Sequence, residues 1–197
     1  MQQFKSKDYV TILLVITNIA VHIFCTIQGN VLYNIGSLSV VDIIDRHDYY
    51  RILTSLFLHA NPQHIWGNMI FLAALGDMLE KSIGHGRFFA IYMLAGIGGN
   101  LLSMGHELAT GQFCSTIGAS GAVFGLIGAL LLLICKNNGT YGQISFRRMI
   151  FAIVYLFYSG TQSETTNNMA HLGGFITGFA VMAVFYCITR RRYKRIR

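Results

Sequence analysis

The sequence predicts an all-α polytopic membrane protein, with a single membrane domain over residues 1–197. Of the 197 residues, 53% are hydrophobic and only 12% are charged, whereas a soluble domain has about 25% charged residues. The apolar stretches are continuous, which disfavours a transmembrane β-barrel because barrel strands alternate apolar and polar residues. The 21 glycines against a single proline favour helices that pack closely through small residues.

Apolar stretches at six positions approach the roughly 20 helical residues that cross the hydrocarbon core of a bilayer. The spans are expected at about 9–28, 63–82, 87–107, 119–136, 147–160 and 169–189. The fifth span is the shortest and ends in polar residues. Asn61 and Pro62 mark the start of the second span, with Asn61 as N-cap and Pro62 at the first helical position. An outer loop, 29–61, and a basic cytoplasmic tail, 190–197, are also expected.

The distribution of basic residues predicts the orientation. With the N-terminus inside, thirteen of the fifteen Lys and Arg residues, including Lys5 and Lys7, are cytoplasmic, and only Arg46 and Arg51 lie outside. This is the positive-inside pattern. The basic residues flank the spans, so the net charge of +7 indicates no nucleic-acid partner, and the tail is expected to contact anionic lipid head groups of the bilayer. We expect an integral protein of the cell (plasma) membrane with both termini cytoplasmic.

This orientation gathers four polar side chains at one depth. The second, fourth and sixth spans all begin at the outer face, and their first turns carry His64 and Asn68, Ser120, and His171 respectively. From Ser120 to Lys136 a helix is about 24 Å long, which is shorter than the hydrocarbon core. Ser120 is therefore expected below the outer surface, where unpaired helix N–H groups must face protein or water. A buried, water-fed pocket is predicted.

Ser120 and His171 are the candidate catalytic residues. Gly118 and Gly121 allow a tight turn and a close helix approach around Ser120, and Gly174 follows His171 on the last span. A neutral imidazole can take the serine proton during attack and return it to the leaving amine. The alternatives are an N-cap or interhelical hydrogen bond for the serine and a polar interhelical contact for the histidine.

No carboxylate has a fixed spacing to His171. Asp77 and Glu80 lie at the inner end of the second span, where a structural anchor is the expected role, and Glu107 and Glu164 lie at outer helix ends or in loops. A Ser–His dyad without a third acid is therefore predicted, which is chemically tolerable.

His64 and Asn68 are spaced i, i+4 and share one helix face. Both can donate hydrogen bonds, so together with the Ser120 N–H they are candidates for an oxyanion hole; the alternative is a structural polar cluster. His59, His64 and His171 raise the possibility of a three-histidine metal site, but no His-Glu-x-x-His motif and no carboxylate accompany them. No metal and no cofactor are predicted.

Four motifs follow one another along the chain: His59 with His64-x-x-x-Asn68, Gly76-x-x-x-Glu80-x-x-x-Gly84, Gly118-Ala119-Ser120-Gly121, and Ala170-His171-x-x-Gly174-x-x-x-Gly178. Any one of these motifs is a weak signal, and it is their order and spacing that are informative. In this order and spacing the sequence resembles the rhomboid intramembrane serine proteases.

The resemblance implies a six-transmembrane-helix rhomboid-like bundle in which Ser120 is the nucleophile and His171 the base. His64 and Asn68 would line the oxyanion hole with the Ser120 amide, and Asn168 matches a polar position that helps to shape the site. The remaining supporting residues are His59, Gly118 and Gly121.

The resemblance also implies that loop 29–61 lies partly in the membrane, and that the fifth span with loop 160–168 forms a lateral gate for substrates. Two positions depart from the family pattern. Tyr50, before Arg51, stands where a Trp is usual, and an aromatic replacement should preserve packing. Phe124 stands where many members carry a Tyr that stacks on the base; Phe keeps the ring and loses the hydroxyl.

The sequence thus predicts an intramembrane serine endopeptidase that hydrolyses a peptide bond in or next to the transmembrane segment of membrane-protein substrates. One alternative is a catalytically inactive rhomboid-like protein that binds membrane clients, which retention of both Ser120 and His171 disfavours. Another is a small transporter, which would place ionisable groups through the whole bilayer. The sequence does not predict an oligomeric state.

Overall fold

The computed structural model describes residues 8–29, 31–162 and 166–195, with side chains described as far as Thr189. Helices account for nearly all of the regular structure, so the all-α class is confirmed. The helices are α1 (Tyr9–Gln28), α2 (Val31–Gly36), α3 (Val40–Arg46), α4 (Arg51–Thr54), a 3₁₀ turn (Ser55–Phe57), α5 (Pro62–Ile83), α6 (His85–Thr110), α7 (Ser120–Lys136), α8 (Phe146–Thr161) and α9 (Asn168–Arg195). Two short strands, β1 (Thr140–Tyr141) and β2 (Ile144–Ser145), form an antiparallel hairpin between α7 and α8.

A helix stands at each of the six predicted spans, and its ends lie within a few residues of the predicted ones, apart from the last helix, which continues to Arg195. Asn61 caps α5 as predicted, since its side chain accepts a hydrogen bond from the His64 N–H and Pro62 is the first helical residue. Within the described residues three helices are long and apolar enough to cross a membrane: Tyr9–Gln28, His85–Thr110 and Asn168–Thr189. The protein is therefore an integral membrane protein, and the count of six spans remains a prediction.

The orientation in the membrane also remains a prediction. Lys5 and Lys7 lie outside the described residues, as do residues 196 and 197 and the side chains of the tail from Arg190 onwards. The bundle has a Ser120 end and a Lys136 end, which are the two ends of α7.

Helix α7 lies at the centre of the bundle, and most of its residues are buried. It packs against α9 through glycines. A Cβ atom on Gly174 would overlap the carbonyl oxygen of Gly121, and one on Gly178 would overlap that of Gly125. The two backbones are thus in direct contact, as the glycine spacing predicted.

The segment 29–61 contains short helices rather than irregular loop. Arg51, which is buried, holds them together: its guanidinium binds the carboxylates of Asp42 and Asp48 and the backbone carbonyls of Asn34 and Ser37. The neighbouring Tyr50 is instead exposed. Its ring faces the Arg51 guanidinium, with 5.8 Å between the guanidinium carbon and the ring centroid, and the expectation that an aromatic residue here preserves packing stays a prediction.

Glu80 anchors α1 at the Lys136 end, as the structural interpretation of this residue predicts. Its carboxylate is completely buried and accepts hydrogen bonds from the backbone N–H groups of Val10 and Thr11 at 2.8 and 2.7 Å. The Thr11 hydroxyl and Nδ1 of His85 contribute two more contacts. Because the first N–H groups of a helix have no partner within the helix, this carboxylate caps α1 from a distant part of the chain.

Candidate active site

Ser120 and His171 lie in hydrogen-bonding contact. Oγ of Ser120, the first residue of α7, is 2.9 Å from Nε2 of His171 in the first turn of α9. The distance follows from the helix packing, because a Cβ on Gly121 would come within 3.3 Å of the Ala170 carbonyl oxygen. His171 is only 8% exposed, and Ser120 is half-buried. The pair can therefore exchange a proton.

Among the described residues, the imidazole of His171 contacts an aromatic ring and no acid. The ring of Phe124 stacks on it with centroids 4.2 Å apart and an interplanar angle of 9°. Nδ1 of His171 is buried and has no hydrogen-bond partner among the described residues. Glu164, one of the carboxylates considered from the sequence, lies outside those residues. For Nε2 to accept the serine proton, a neutral ring must carry its own proton on Nδ1.

The backbone before Ser120 is fixed by contacts to segment 29–61. Gly118 has φ of +126°, a conformation that favours glycine, and its N–H donates to the Ser55 carbonyl at 2.9 Å. The N–H of Ala119 points to Nε2 of His59 at 3.5 Å. Burial, and secondly the proximity of His64, lowers the pKa of His59 to about 3. Its ring is therefore neutral near pH 7 and can accept this hydrogen bond.

His64 lies against the same turn. A Cβ on Gly118 would come 2.8 Å from the His64 ring and 3.8 Å from Oγ of Ser120, so glycine is required for space as well as for φ. Nδ2 of Asn68 donates to the His64 carbonyl at 3.0 Å, which leaves its second N–H for another acceptor. The structure thus brings His64 to the nucleophile turn and places Asn68 one helical turn further along α5. Their oxyanion role remains a prediction.

Asn168 differs from the other candidate residues, because it contacts the end of α8. Its Oδ1 is buried without a hydrogen-bond partner among the described residues, and a Cβ on Gly160 would overlap this oxygen. Asn168 therefore packs the start of α9 against the end of α8, and the structure records no hydrogen bond from it to Ser120 or His171.

Several polar residues near the site were missed by reasoning from the sequence. Ser55 and Asn100 support the Gly118 turn, since Nδ2 of Asn100 donates to the Ser55 hydroxyl at 2.9 Å and to the Ile52 carbonyl at 2.8 Å. Asn167 caps α9 by accepting from the Ala170 N–H at 3.0 Å. An Asn before an apolar helix is a recognisable N-cap signal, so only this last residue had a local sequence signature.

The histidines do not form a metal site in the described part of the chain. Over residues 8–29, 31–162 and 166–195, no group of three or more His, Cys, Asp or Glu side chains is arranged to hold a metal ion. The rings of His59 and His64 meet edge-on with centroids 5.1 Å apart. His59 faces the Ala119 amide and His171 faces Ser120, so each ring already has another contact.

Comparison with known proteins identifies relatives of this chain. The model of the Rhomboid domain matches residues 46–187. The chain is 36% identical over 156 residues to RHOMBOID-like protein 1 of Arabidopsis thaliana, covering 78% of this chain and 39% of that protein. It is 33% identical over 141 residues to the rhomboid protease GluP of Bacillus subtilis, covering 72% of this chain and 27% of that protein. The chain thus spans less than half the length of these two relatives.

Proposed function

Because the chain belongs to the rhomboid family, we propose that it is an intramembrane serine endopeptidase acting through the Ser120–His171 dyad. Its substrates are membrane proteins cut in or next to a transmembrane segment. The observation that carries the proposal is the 2.9 Å contact between Oγ of Ser120 and Nε2 of His171. A rhomboid protease is among the relatives of the chain.

In the proposed mechanism, Oγ of Ser120 attacks the scissile carbonyl while Nε2 of His171 takes its proton. The negative charge that develops on the carbonyl oxygen is stabilised by the Ser120 N–H, the His64 ring and the free N–H of Asn68. Nε2 then returns the proton to the leaving amine. Water that reaches the pocket from outside hydrolyses the acyl-enzyme, with His171 again acting as base.

The substrate segment must unwind before its carbonyl can reach Ser120, since the peptide bonds of a membrane helix are internally hydrogen-bonded. We expect small or helix-weakening residues near the cut. Helix α8 is the proposed gate. Phe151, Val154 and Tyr158 on it are exposed, and an apolar cavity of about 420 Å³ lies between α8, α5, α7 and the β1–β2 hairpin. Of the gate loop 160–168, residues 163–165 lie outside the described part of the chain.

The proposed location is the cell membrane, with both termini cytoplasmic. In that orientation Lys81, Arg87, Lys136, Arg147 and Arg148 all lie at the cytoplasmic end, as positive-inside topology requires. Ser120 and His171 then open to the outer side.

The test is cleavage of a model transmembrane substrate by the purified chain in detergent. Ser120→Ala and His171→Ala should abolish cleavage, because removing either member of such a pair removes nucleophilic catalysis. Ser115→Ala and His106→Ala, at exposed positions, are matched controls that should retain it. Undiminished cleavage in either dyad variant would refute the dyad. If wild type and Ser120→Ala both bind the substrate and neither cleaves it, the chain is an inactive client-binding protein.

A further inference from the structure

A group of polar side chains at the Ser120 end of the bundle connects α6, the segment before α7 and the start of α9. We call it the Asn167 cluster. Its members are Ser103 and Glu107 on α6, Thr116 before α7, and Asn167 before α9. The proposed mechanism uses none of them in a chemical step.

The carboxamide of Asn167 uses its oxygen and its nitrogen on different segments. Oδ1 accepts a hydrogen bond from the Ala170 N–H at 3.0 Å, which caps α9. Nδ2 donates to Oγ of Ser103 at 2.6 Å and to Oγ1 of Thr116 at 2.8 Å. An amide nitrogen has two N–H donors, so these two hydroxyls occupy both. One side chain therefore joins three segments of the fold.

Glu107 determines which way this amide faces. The residue is only 3% exposed, and its carboxylate accepts from the Ser103 hydroxyl at 3.1 Å and from the Cys114 N–H at 3.3 Å. A carboxylate is an acceptor only, so it takes the single proton of Ser103 and leaves an oxygen lone pair for Asn167. Because the Ser103 hydroxyl donates its proton to Glu107, it can only accept a hydrogen bond from Asn167. The donor Nδ2 must therefore face Ser103, and Oδ1 then faces the helix that it caps.

Asn167 and Thr116 each precede a dyad residue by four positions. The Asn167 carbonyl accepts from the His171 N–H at 3.2 Å, while Thr116 is held by two backbone hydrogen bonds with Leu38 at 2.9 and 3.0 Å. The bond between Asn167 and Thr116 therefore sets the separation of the two segments that lead to Ser120 and His171.

We propose that Asn167, oriented by Glu107 through Ser103, is a positioning residue that holds His171 at reacting distance from Ser120. The inference rests on the proposed function of this pair. A helix cap alone needs only Oδ1, whereas positioning needs both donors of Nδ2. Variants that keep the helix cap and remove the Nδ2 donors therefore distinguish the capping role from the positioning role. A variant that removes the hydroxyl of Thr116 does the same.

The experiment measures kcat and KM for a model transmembrane substrate, together with Tm, on the full chain in detergent. Asn167→Ser keeps a residue that caps helices well but is too short to reach Ser103 and Thr116. Thr116→Val removes the accepting hydroxyl at similar volume, and Thr116→Ser retains it. Ser39→Ala is the matched control, because it removes the N-cap of α3.

We expect Asn167→Ser and Thr116→Val to lower kcat about 10- to 100-fold with KM nearly unchanged, since a 1 Å displacement of a reacting group can cost on the order of 10²-fold. Thr116→Ser should keep kcat near wild type. The double variant of Asn167 and Thr116 should lose no more than the larger single loss, because both changes break one link. Ser39→Ala should lower Tm and leave kcat unchanged.

A lower Tm with kcat within about twofold of wild type in Asn167→Ser and Thr116→Val would overturn the positioning role. That outcome leaves the proposed function intact as long as wild type cleaves and Ser120→Ala does not. If wild type shows no Ser120-dependent cleavage, the proposed function fails, and the positioning role fails with it.

Discussion

The ring of Phe124 lies almost parallel to the imidazole of His171, with centroids 4.2 Å apart. Phe124 is one helical turn after Ser120 on α7, so the helix that carries the proposed nucleophile also supplies the surface against which the base rests. A third ring, that of Phe157 on α8, meets Phe124 edge-on at 5.1 Å. The orientation of His171 is therefore set by aromatic packing on one side and by Ser120 on the other.

Replacing Phe124 by leucine should lower kcat about tenfold, because His171 loses the flat surface that holds Nε2 towards Oγ and misplacement of a base is costly. Phe124→Tyr keeps the ring and should retain activity. Phe88→Leu is the matched control, since Phe88 is a fully buried aromatic on α6 that the structure does not place in the site. Initial-rate kinetics on the four proteins would decide this, and equal losses for Phe88→Leu and Phe124→Leu would contradict it.

Two glycine-to-alanine substitutions should change the stability of the protein in opposite directions, because only one of these glycines lies at the contact between α7 and α9. In Gly174→Ala the new methyl group overlaps the carbonyl oxygen of Gly121. Overpacking of this kind lowers the stability of the folded protein by about 1–3 kcal/mol. Because it also pushes α7 and α9 apart, the substitution should reduce cleavage as well. Gly105→Ala on α6 meets nothing within 4 Å and should stabilise by about 0.4–1 kcal/mol through the unfolded chain.

Thermal unfolding of the two variants in one detergent measures both effects. A Tm for Gly174→Ala equal to or above that of Gly105→Ala would mean that the two backbones are not in contact.

Features with a local cause were predictable from the sequence, and features that depend on distant pairings were not. Asn61 and Pro62 define the start of α5 through their own chemistry, and α5 begins there. The contact between Ser120 and His171 was predictable because glycine spacing on two spans implies close packing. Asn167 is different: its partners Ser103 and Thr116 are 64 and 51 residues away, and no periodicity connects them.

The short helices of segment 29–61 were missed for a related reason. Helix α2 has six residues and α3 has seven, whereas isolated helices shorter than about 12–15 residues are marginal in water. Their stability comes from tertiary contacts, chiefly those of Arg51, which binds the Asn34 and Ser37 carbonyls and the Asp42 carboxylate on α3. A sequence pattern does not reveal such contacts.

Glu80→Gln should destabilise the protein by about 2–4 kcal/mol. The glutamine amide has one acceptor oxygen where the carboxylate has two, and its N–H groups would face the N–H donors at the start of α1. The neighbouring Asp77→Asn breaks only a half-exposed pair with Lys81 and should change stability by less than about 1 kcal/mol. Since Glu80 lies at the Lys136 end, kcat at a temperature where both variants are folded should match wild type. Tm and kcat measured side by side test this, and a Glu80→Gln protein as stable as Asp77→Asn would refute the capping role.

The thiol of Cys114 reports on Glu107 without any activity measurement. Burial, and secondly the charge of Glu107, raises the pKa of Cys114 above its ordinary value of 9.0. The thiolate is the reactive form, so at pH 8 iodoacetamide should modify Cys114 slowly, and the rate should keep rising as the pH passes 9. Glu107→Gln removes the neighbouring charge, lowers the pKa and should speed the reaction at pH 8.

The labelling is done in a background where the other cysteines, at positions 25, 135 and 187, are replaced by serine. Asp45→Asn, at an exposed position on α3, is the control for loss of a carboxylate elsewhere. Because folding favours the protonated thiol, the stability that Cys114 contributes is present below pH 9 and is lost as the pH rises through its raised pKa. Equal labelling rates in wild type and Glu107→Gln would show that the carboxylate does not lie beside the thiol, and would remove Glu107 from the Asn167 cluster.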